Sequence, residues 1–197
     1  YFRAMEIVFA SNNAHKMEEV SSKLPKYIRV VSLRSVLGDV DIPETGETLD
    51  ENAAIKARYV HQRTGKNCFA DDTGLEITAL DGEPGVYSAR YAGEGCSFQD
   101  NMDKVLLNMN GKTDRNAKFR TVICLILDGK EHFFEGQVDG EILTKQVGEK
   151  GFGYDPIFRP TGFKETFAEM SLEQKNEISH RGRAVQKLTD FLSALGV

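Results

Sequence analysis

The dipeptide Asp128-Gly129, which joins two long apolar stretches, constrains the fold of this chain more than any other feature. Lys118 to Leu127 and His132 to Val138 have the composition of strands, and an Asp-Gly pair between two strands is a strong signal for a tight hairpin turn. Arms of this length predict a long, partly antiparallel sheet.

Strands and helices alternate in the rest of the chain. Glu6 to Ala10 is predicted to be a strand, and a helix follows it with Met17, Val20 and Leu24 on one face. Further strands are predicted at Ile28 to Ser32, Cys68 to Ala70 and Leu75 to Thr78, and a further helix at Leu49 to Val60 with Ala53, Ala57 and Val60 inward. These elements are compatible with an α/β protein.

Two later helices carry apolar stripes. The first opens at Ser97, where Asp100 completes a capping box, and the last runs over about Arg181 to Leu195. The stripes that are expected to be buried are Phe98, Met102, Val105, Leu106 and Met109 in the first helix and Ala184, Leu188, Phe191, Leu192 and Leu195 in the last.

Composition limits the class of protein. The chain has 197 residues, 40% hydrophobic and 28% charged, which suits one compact domain or two small lobes that share a core. A formal net charge of -5 gives no electrostatic basis for tight binding to a nucleic-acid polymer. The three cysteines are far apart and odd in number, so neither a disulfide framework nor a zinc site is expected, and reduced thiols in a cytoplasmic protein are predicted.

No sequence signal suggests a membrane protein or a second domain. No apolar run has the length of a membrane span, and the N-terminus lacks the pattern of a signal peptide. Met5 is interpreted as the native start, with residues 1–4 a remnant added before it. Because no repeat or linker divides the chain, residues 5–197 are predicted to form a single domain.

Two adjacent aspartates, Asp71 and Asp72, follow the apolar stretch Cys68 to Ala70 and precede Thr73-Gly74. The strand is expected to end here in a turn, because aspartate favours turns. Neighbouring carboxylates repel each other and resist desolvation, so a divalent metal, a cluster of Lys or Arg, or a shared proton should stabilise them. The alternative is an ordinary turn in which one carboxylate caps the next segment and the other faces water.

A polar segment lies between the first strand and the first helix, where free N–H groups and the helix dipole favour a bound anion. Its residues are Ser11, Asn12, Asn13, Ala14, His15 and Lys16. The other interpretation, favoured by the segment alone, is an ordinary helix cap at Ser11 or Asn13 with Lys16 in solvent. The segment does not have the spacing of a P-loop.

Two segments near the C-terminus also admit two interpretations. Gly151 to Pro156 could offer Phe152 as a stacking surface for a flat ring, or could be a rigid turn with its aromatic side chains in the core. Ser179-His180-Arg181 could contact a carbonyl or a phosphate, although a surface helix cap is the commoner explanation.

Seven segments occur in the order typical of inosine/xanthosine triphosphate pyrophosphatases, and the chain resembles that family from Glu6 to the final helix. The segments are Ser11 to Lys16, Glu44-Thr45-Gly46, Glu51-Asn52-Ala53, Ala70 to Gly74, Pro84 to Tyr91, Phe152 to Pro156 and Ser179-His180-Arg181. The resemblance implies an elongated α/β fold, with a long mixed sheet, flanking helices and two lobes around a central cleft, in a homodimer. It also implies Mg²⁺-dependent hydrolysis of ITP, dITP and XTP to the monophosphate and pyrophosphate, which removes deaminated purines from the nucleotide pool.

The resemblance assigns roles by position. Asp72 resembles the general base and a metal ligand, with Glu44 and Asp71 as further metal-site candidates. The triphosphate is expected at Ser11 to Lys16. Substrate contacts are also expected at Thr73, Phe152, Gly153, Tyr154, Asp155, Lys175, His180 and Arg181.

The expected base pocket explains the substrate preference in chemical terms. Phe152 would stack on the purine, and donors such as Arg181 would favour the acceptor at position 6 of inosine and xanthosine over the amino group of adenine. The chain departs from the family pattern at three positions: Ser11 where Thr is usual, Asn12 where Gly is usual, and Thr73 where Ser is commoner. Both hydroxyls are retained, and Asn12 adds a Cβ in the segment expected to hold phosphate.

Two other functions are compatible with parts of the pattern. A haloacid-dehalogenase-like phosphatase also has an aspartate and a threonine after a strand, but it needs alternating aspartates near the first strand, which here ends in Ser11. A regulatory module that binds nucleotide through Mg²⁺ without hydrolysis is the alternative from another class. Such a module would leave ITP intact, whereas a phosphatase would release orthophosphate.

Overall fold

A computed structural model describes residues 5–196, so the interpretation of residues 1–4 lies outside the described residues. The strands are β1 (Met5–Phe9), β2 (Ile28–Ser32), β3 (Cys68–Ile77), β4 (Pro84–Gly85), β5 (Asn116–Leu127), β6 (Lys130–Ile142) and β7 (Phe158–Pro160). The helices are α1 (Ala14–Lys23), α2 (Leu33–Leu37), α3 (Leu49–Thr64), α4 (Phe98–Asn108), α5 (Leu172–Ile178) and α6 (His180–Ala194). Three 3-10 turns occupy Thr78–Leu80, Ser88–Arg90 and Asp155–Ile157.

The sheet is mixed, as expected. Its strand order is β2-β1-β3-β5-β6-β7, and β4 pairs with β3. Strand β1 is parallel to both β2 and β3, whereas the pairs β3–β4 and β6–β7 are antiparallel. The α/β class with a mixed sheet and flanking helices is therefore confirmed.

The predicted hairpin is present, with longer arms than the sequence indicated. Strands β5 and β6 are joined by Asp128 and Gly129, which have φ angles of 49° and 77°. Positive φ at both central residues is what a two-residue turn that matches the twist of the strands requires. Glycine adopts this conformation without cost, and aspartate tolerates it better than most residues.

The chain divides into two compact units, each with an apolar core. Among the described residues, the first unit comprises 5–72, 121–136 and 181–196, and the second comprises Thr73–Arg120 and Gln137–His180. Core residues of the first unit include Ile7, Phe9, Val20, Phe69, Ile123, Leu125, Leu188 and Leu192. Core residues of the second unit include Leu75, Ile77, Val105, Met109, Phe119, Phe158 and Phe167.

Two stripe residues lie differently from the prediction. In α4, Met102, Val105 and Met109 are buried, but Phe98 is 47% exposed because it is the first residue of the helix, directly after the Ser97 cap. In the C-terminal segment Leu195 is 53% exposed, since α6 ends at Ala194. The periodicity predicted most of each stripe correctly, and it was wrong at one end of each: the first residue of the α4 stripe and the last of the C-terminal one.

Two findings concern the cysteines and the helices of the described part of the chain. Cys68, Cys96 and Cys124 are free thiols. In residues 5–196 no helix combines the length and hydropathy that crossing a bilayer requires.

Candidate functional site

The aspartate pair lies within a strand, so the predicted turn at Asp71 and Asp72 is wrong. Strand β3 continues through both residues to Ile77, and both residues are buried, with exposures of 2% and 5%. Aspartate is disfavoured inside strands. Here the strand continues because its later residues Leu75 and Ile77 are completely buried and because cationic side chains compensate the carboxylates.

Asp71 is surrounded by cations of the first unit. Lys16 Nζ donates to its Oδ1 at 3.0 Å, and Arg181 Nε donates to its Oδ2 at 2.9 Å. Although burial by itself would raise the pKa of Asp71, Lys16, Arg181 and Lys56 bring it well below its usual range. Asp71 is therefore held as a carboxylate, and both of its oxygens are bound by protein.

Arg181 completes this network with a second acid. Its Nη1 donates to Glu19 on α1, and its side chain is 2% exposed. Burial would lower the pKa of Arg181, but Asp71 and Glu19 raise it overall. The partners of the Arg181 guanidinium are thus two carboxylates of the first unit. The contact between Arg181 and the purine stays a prediction.

Asp72 has a different environment from its neighbour. Lys56 Nζ lies 3.7 Å from Asp72 Oδ1 and 3.0 Å from Glu44 Oε1. Burial raises the pKa of Asp72 to about 6; Glu44 also raises it, whereas Lys56, Lys16 and the Asn52 side chain lower it. Burial would lower the pKa of Lys56, but Asp72 and Glu44 raise it overall, so Lys56 carries a positive charge. A carboxyl that titrates near neutral pH can accept a proton, and such groups concentrate at functional sites.

The Ser11 to Lys16 segment forms an ordinary helix cap. The Asn13 side chain accepts from Lys16 N–H at 3.1 Å, and Ser11 Oγ accepts from Asn13 N–H at 3.1 Å. Ala14 and His15 are exposed in the first turn of α1. The cap does not conflict with a site, because Lys16 turns from it to Asp71.

Asn12 occupies its position without backbone strain. It is not among the residues with positive φ in the described chain, and its Nδ2 donates to the Val40 carbonyl at 2.8 Å. This position therefore does not need the left-handed conformation that a Cβ disfavours, and the chain accommodates Asn12 where glycine is usual.

The second unit contains its own group of predicted site residues, gathered at an aromatic turn. Asp155 Oδ2 accepts from Lys175 Nζ at 2.6 Å and from Phe152 N–H at 3.0 Å. The Lys175 and Asp155 side chains are each 4% exposed, and Lys175 Nζ lies 4.9 Å from the centroid of the Phe152 ring. Gly151 has φ of 73°, and a Cβ there would collide with the Asp155 carboxylate. The turn therefore fixes Phe152 beside a buried ion pair.

The other predicted residues of the second unit are held by its core. Tyr154 is buried and donates its hydroxyl to the Ser88 carbonyl at 2.6 Å. His180 is buried and stacks on Phe119, with ring centroids 4.6 Å apart. Gly153 lies in the turn with φ of 59°, and Thr73 is half-buried on β3.

Comparison with known proteins decides the family. The model of the Ham1 family matches residues 7–191. The chain belongs to the Ham1 family. It is 54% identical over 187 residues to the dITP/XTP pyrophosphatase of Flavobacterium psychrophilum, covering 95% of this chain and 98% of that protein.

Solved structures of Ham1 proteins have the same fold. The Ham1 protein of Staphylococcus aureus is 44% identical, with a TM-score of 0.86, and the match covers 96% of this chain and 98% of that one. The Ham1 protein of Coxiella burnetii is 40% identical, with a TM-score of 0.88 and coverage of 96% and 99%. The resemblance found from the seven segments is thus confirmed over nearly the full length.

Two charged residues of the candidate site, Glu19 and Lys56, were not predicted from the sequence. Both lie on helices, where a charged residue next to apolar ones normally faces solvent. Lys56 nevertheless is 7% exposed and Glu19 is 4% exposed. One signal was available for Lys56. Asn52 belongs to one of the seven segments, and Lys56, four residues later, lies on the same face of the helix.

Proposed function

We propose that this chain hydrolyses noncanonical purine nucleoside triphosphates, namely ITP, dITP and XTP, to the nucleoside monophosphate and pyrophosphate. The observation that carries the proposal is the unequal environment of two adjacent carboxylates. Asp71 is bound by Lys16 and Arg181, whereas Asp72 is buried and has a pKa raised to about 6. The name dITP/XTP pyrophosphatase given to relatives that are more than half identical supports the same reaction.

The chemistry follows from the state of Asp72. Asp72 accepts a proton from a water molecule, and the water oxygen forms a bond to the α-phosphorus. The bond between the α-phosphorus and the bridging oxygen then breaks, and pyrophosphate leaves with the electron pair. Lys16 and Lys56 supply positive charge for the phosphate oxygens, on which negative charge increases during attack.

A divalent cation suits the acidic groups beside Asp72. Glu44 and Asp72 both lie next to Lys56, so two carboxylates face one cationic position. In residues 5–196 no three Asp, Glu, His or Cys side chains converge as a complete metal cage. Mg²⁺ is commonly held by one or two carboxylates together with substrate phosphates and water, so Glu44 and Asp72 would hold it jointly with the triphosphate.

When bound, Mg²⁺ would neutralise charge on the phosphate oxygens. The structure favours an ion-pair role for Asp71 over the predicted metal contact, because both its oxygens bind cationic side chains.

The purine is assigned to residues of the second unit. Phe152 offers a ring for stacking, and Lys175 and Asp155 form a buried pair of fixed polarity next to it. Lysine presents donors only, which suits the acceptor at position 6 of inosine and xanthosine and disfavours the amino group of adenine. A homodimer, which rests on the resemblance, and a cytoplasmic location, which rests on the pattern of the three cysteines, belong to the same proposal.

Product analysis tests the proposed function. Purified protein is incubated with ITP, and separately with ATP and GTP, with and without Mg²⁺, while pyrophosphate and orthophosphate are both followed. IMP and pyrophosphate formed from ITP in the presence of Mg²⁺, with much slower turnover of ATP, is the expected result. Orthophosphate as the first product would indicate a phosphatase, and bound but intact ITP would indicate a regulatory module.

A further inference from the structure

The Asn52 side chain, on α3 one turn before Lys56, is completely buried. Its Oδ1 accepts from the Gly46 N–H at 2.7 Å, two residues after Glu44. Because only the oxygen of an amide can accept, this bond fixes which end of the Asn52 side chain faces the loop. A Cβ at Gly46 would lie 2.8 Å from Asn52 Oδ1 and 2.6 Å from Glu51 Cβ, so this close approach needs glycine.

The other end of the same amide faces Asp72. Asn52 Nδ2 is buried and has no hydrogen-bond partner of normal geometry within residues 5–196. Lys56, one helical turn after Asn52 on α3, brings its Nζ to 3.7 Å from Asp72 Oδ1, so the helix face that carries Asn52 is the face next to Asp72. A buried N–H that is not satisfied is unfavourable, and in ligand-free enzymes catalytic hydrogen bonds are often long and tighten only in the substrate complex.

Asn52 and Lys56 divide the work of holding the two acids. They are four residues apart on α3 and therefore lie on one face of the helix. Lys56 supplies charge to Glu44 and Asp72. Asn52 instead supplies direction, since the oxygen of its planar amide is bound to the Glu44 loop and its nitrogen is left as a buried donor on the same helix face as Lys56.

We propose that Asn52 is a positioning residue that ties the Glu44 loop to the Asp72 carboxylate. Its Oδ1 fixes the loop at Gly46, and its Nδ2 donates to one Asp72 oxygen when substrate is bound, which leaves the other oxygen directed at the water. The inference rests on the proposed function, because it concerns the alignment of the base in that reaction.

Two variants separate the roles of the two ends. Asn52→Asp keeps an acceptor for the Gly46 N–H and removes the donor to Asp72, although it adds a charge. Asn52→Leu removes both ends without adding a charge. Asn101→Asp is the matched control in the second unit: Asn101 is 3% exposed, accepts from Ala92 N–H at 2.8 Å and donates to the Ala89 carbonyl at 3.2 Å.

The readouts are kcat and KM for ITP, the melting temperature, and the hydrogen-exchange protection of the Gly46 amide by NMR. Both Asn52 variants should lose about 100-fold in kcat, as expected for loss of one aligned donor, while KM changes less than about 3-fold. Gly46 protection should persist in Asn52→Asp and fall in Asn52→Leu. Asn101→Asp should lower the melting temperature while its kcat stays within about 3-fold of wild type.

The inference is overturned if both folded Asn52 variants keep kcat within about 3-fold of wild type, or if Asn101→Asp loses as much kcat at the same loss of melting temperature. Failure of the proposed function has a separate signature, because wild-type protein in the same assay would then release no pyrophosphate.

Discussion

The acidic cluster of the first unit and the aromatic turn of the second unit stabilise buried charge in different ways. In the first unit, four carboxylates share three cationic side chains: Glu19, Glu44, Asp71 and Asp72 with Lys16, Lys56 and Arg181. In the second unit, one carboxylate meets one ammonium, Asp155 and Lys175, and aromatic rings cover the pair. The first arrangement leaves a proton acceptor near neutral pH, and the second provides a fixed flat surface.

We propose that this difference divides the steps of the reaction between the two regions. Hydrolysis of a phosphoanhydride needs a base and dispersed positive charge, which the acidic cluster of the first unit supplies. Recognition of a purine needs a rigid ring and donors of fixed direction, which Phe152 and the buried pair of Lys175 and Asp155 supply.

The largest expected effect is a loss of turnover when Asp72, in the acidic cluster of the first unit, is replaced. Asp72→Asn keeps the shape of the side chain and removes the proton acceptor, so pyrophosphate release from ITP should fall by at least about 1,000-fold. The fold should be retained, as measured by circular dichroism. Asp103→Asn, on the exposed face of α4, is the control and should keep wild-type turnover. Retained activity in Asp72→Asn would remove Asp72 from the mechanism.

The ion pairs of Arg181 with Asp71 and Glu19 should matter most for stability. Arg181→Met leaves Asp71 and Glu19 buried without their shared cation, which should lower the free energy of unfolding by about 3–5 kcal/mol. Denaturation in urea measures this change. Arg58→Met breaks a bidentate pair with Glu131 in which Arg58 is 51% exposed, and its expected effect is below about 1 kcal/mol. Equal losses in the two variants would contradict the proposed role of Arg181 in the buried network.

The raised pKa of Asp72 predicts a pH dependence of stability in metal-free protein. Its pKa is about 6 in the folded state against an ordinary value of 3.8, so the folded state binds this proton more tightly than the unfolded chain does. Ionisation of Asp72 therefore destabilises the fold progressively as the pH rises from about 4 through 6, by up to roughly 3 kcal/mol.

Asp72→Asn should consequently be more stable than wild type at pH 8 in the presence of a chelator, and the difference should vanish near pH 4. Thermal unfolding across this range measures it. A difference that does not change with pH would show that burial of Asp72 is not the cause.

The smallest expected effect tests the aromatic turn. Phe152→Ala removes the stacking surface and should raise KM for ITP about 10-fold, equivalent to roughly 1.4 kcal/mol, with a smaller change in kcat. Phe163→Ala removes a 44% exposed ring of the same unit and should leave both constants unchanged. If Phe152→Ala instead lowered kcat with KM unchanged, the ring would act in the chemical step and the division of work between the units would be wrong.

The elements that follow from local signals were predictable from the sequence. The hairpin at Asp128-Gly129 and the buried face of α3 follow from turn chemistry and periodicity, and both are found. The turn predicted at Asp71 and Asp72 is absent, because tertiary contacts outweigh the local preference of aspartate: Lys16 and Arg181 are 55 and 110 residues away from Asp71 in sequence. Pairings of this kind leave no local signal.

For the candidate site, the sequence predicted several of the residues but not the contacts between them. The seven segments included Asp72, Glu44 and Lys16, but the partners that set the state of these residues came from the structure. Glu19 and Lys56 look like surface charges on helices, and only their burial shows that they belong to the cluster. Arg181 belonged to one of the seven segments, whereas its ion pairs with Asp71 and Glu19 were not predicted.

Hydrolysis of ITP in water enriched in oxygen-18, followed by mass analysis of both products, tests the central claim most directly. If Asp72 directs water at the α-phosphorus, a single turnover places the heavy oxygen in IMP and none in pyrophosphate. Heavy oxygen in pyrophosphate would mean that water attacks the β-phosphorus, and heavy oxygen in orthophosphate would mean that the terminal phosphate is removed. Either result would contradict the account.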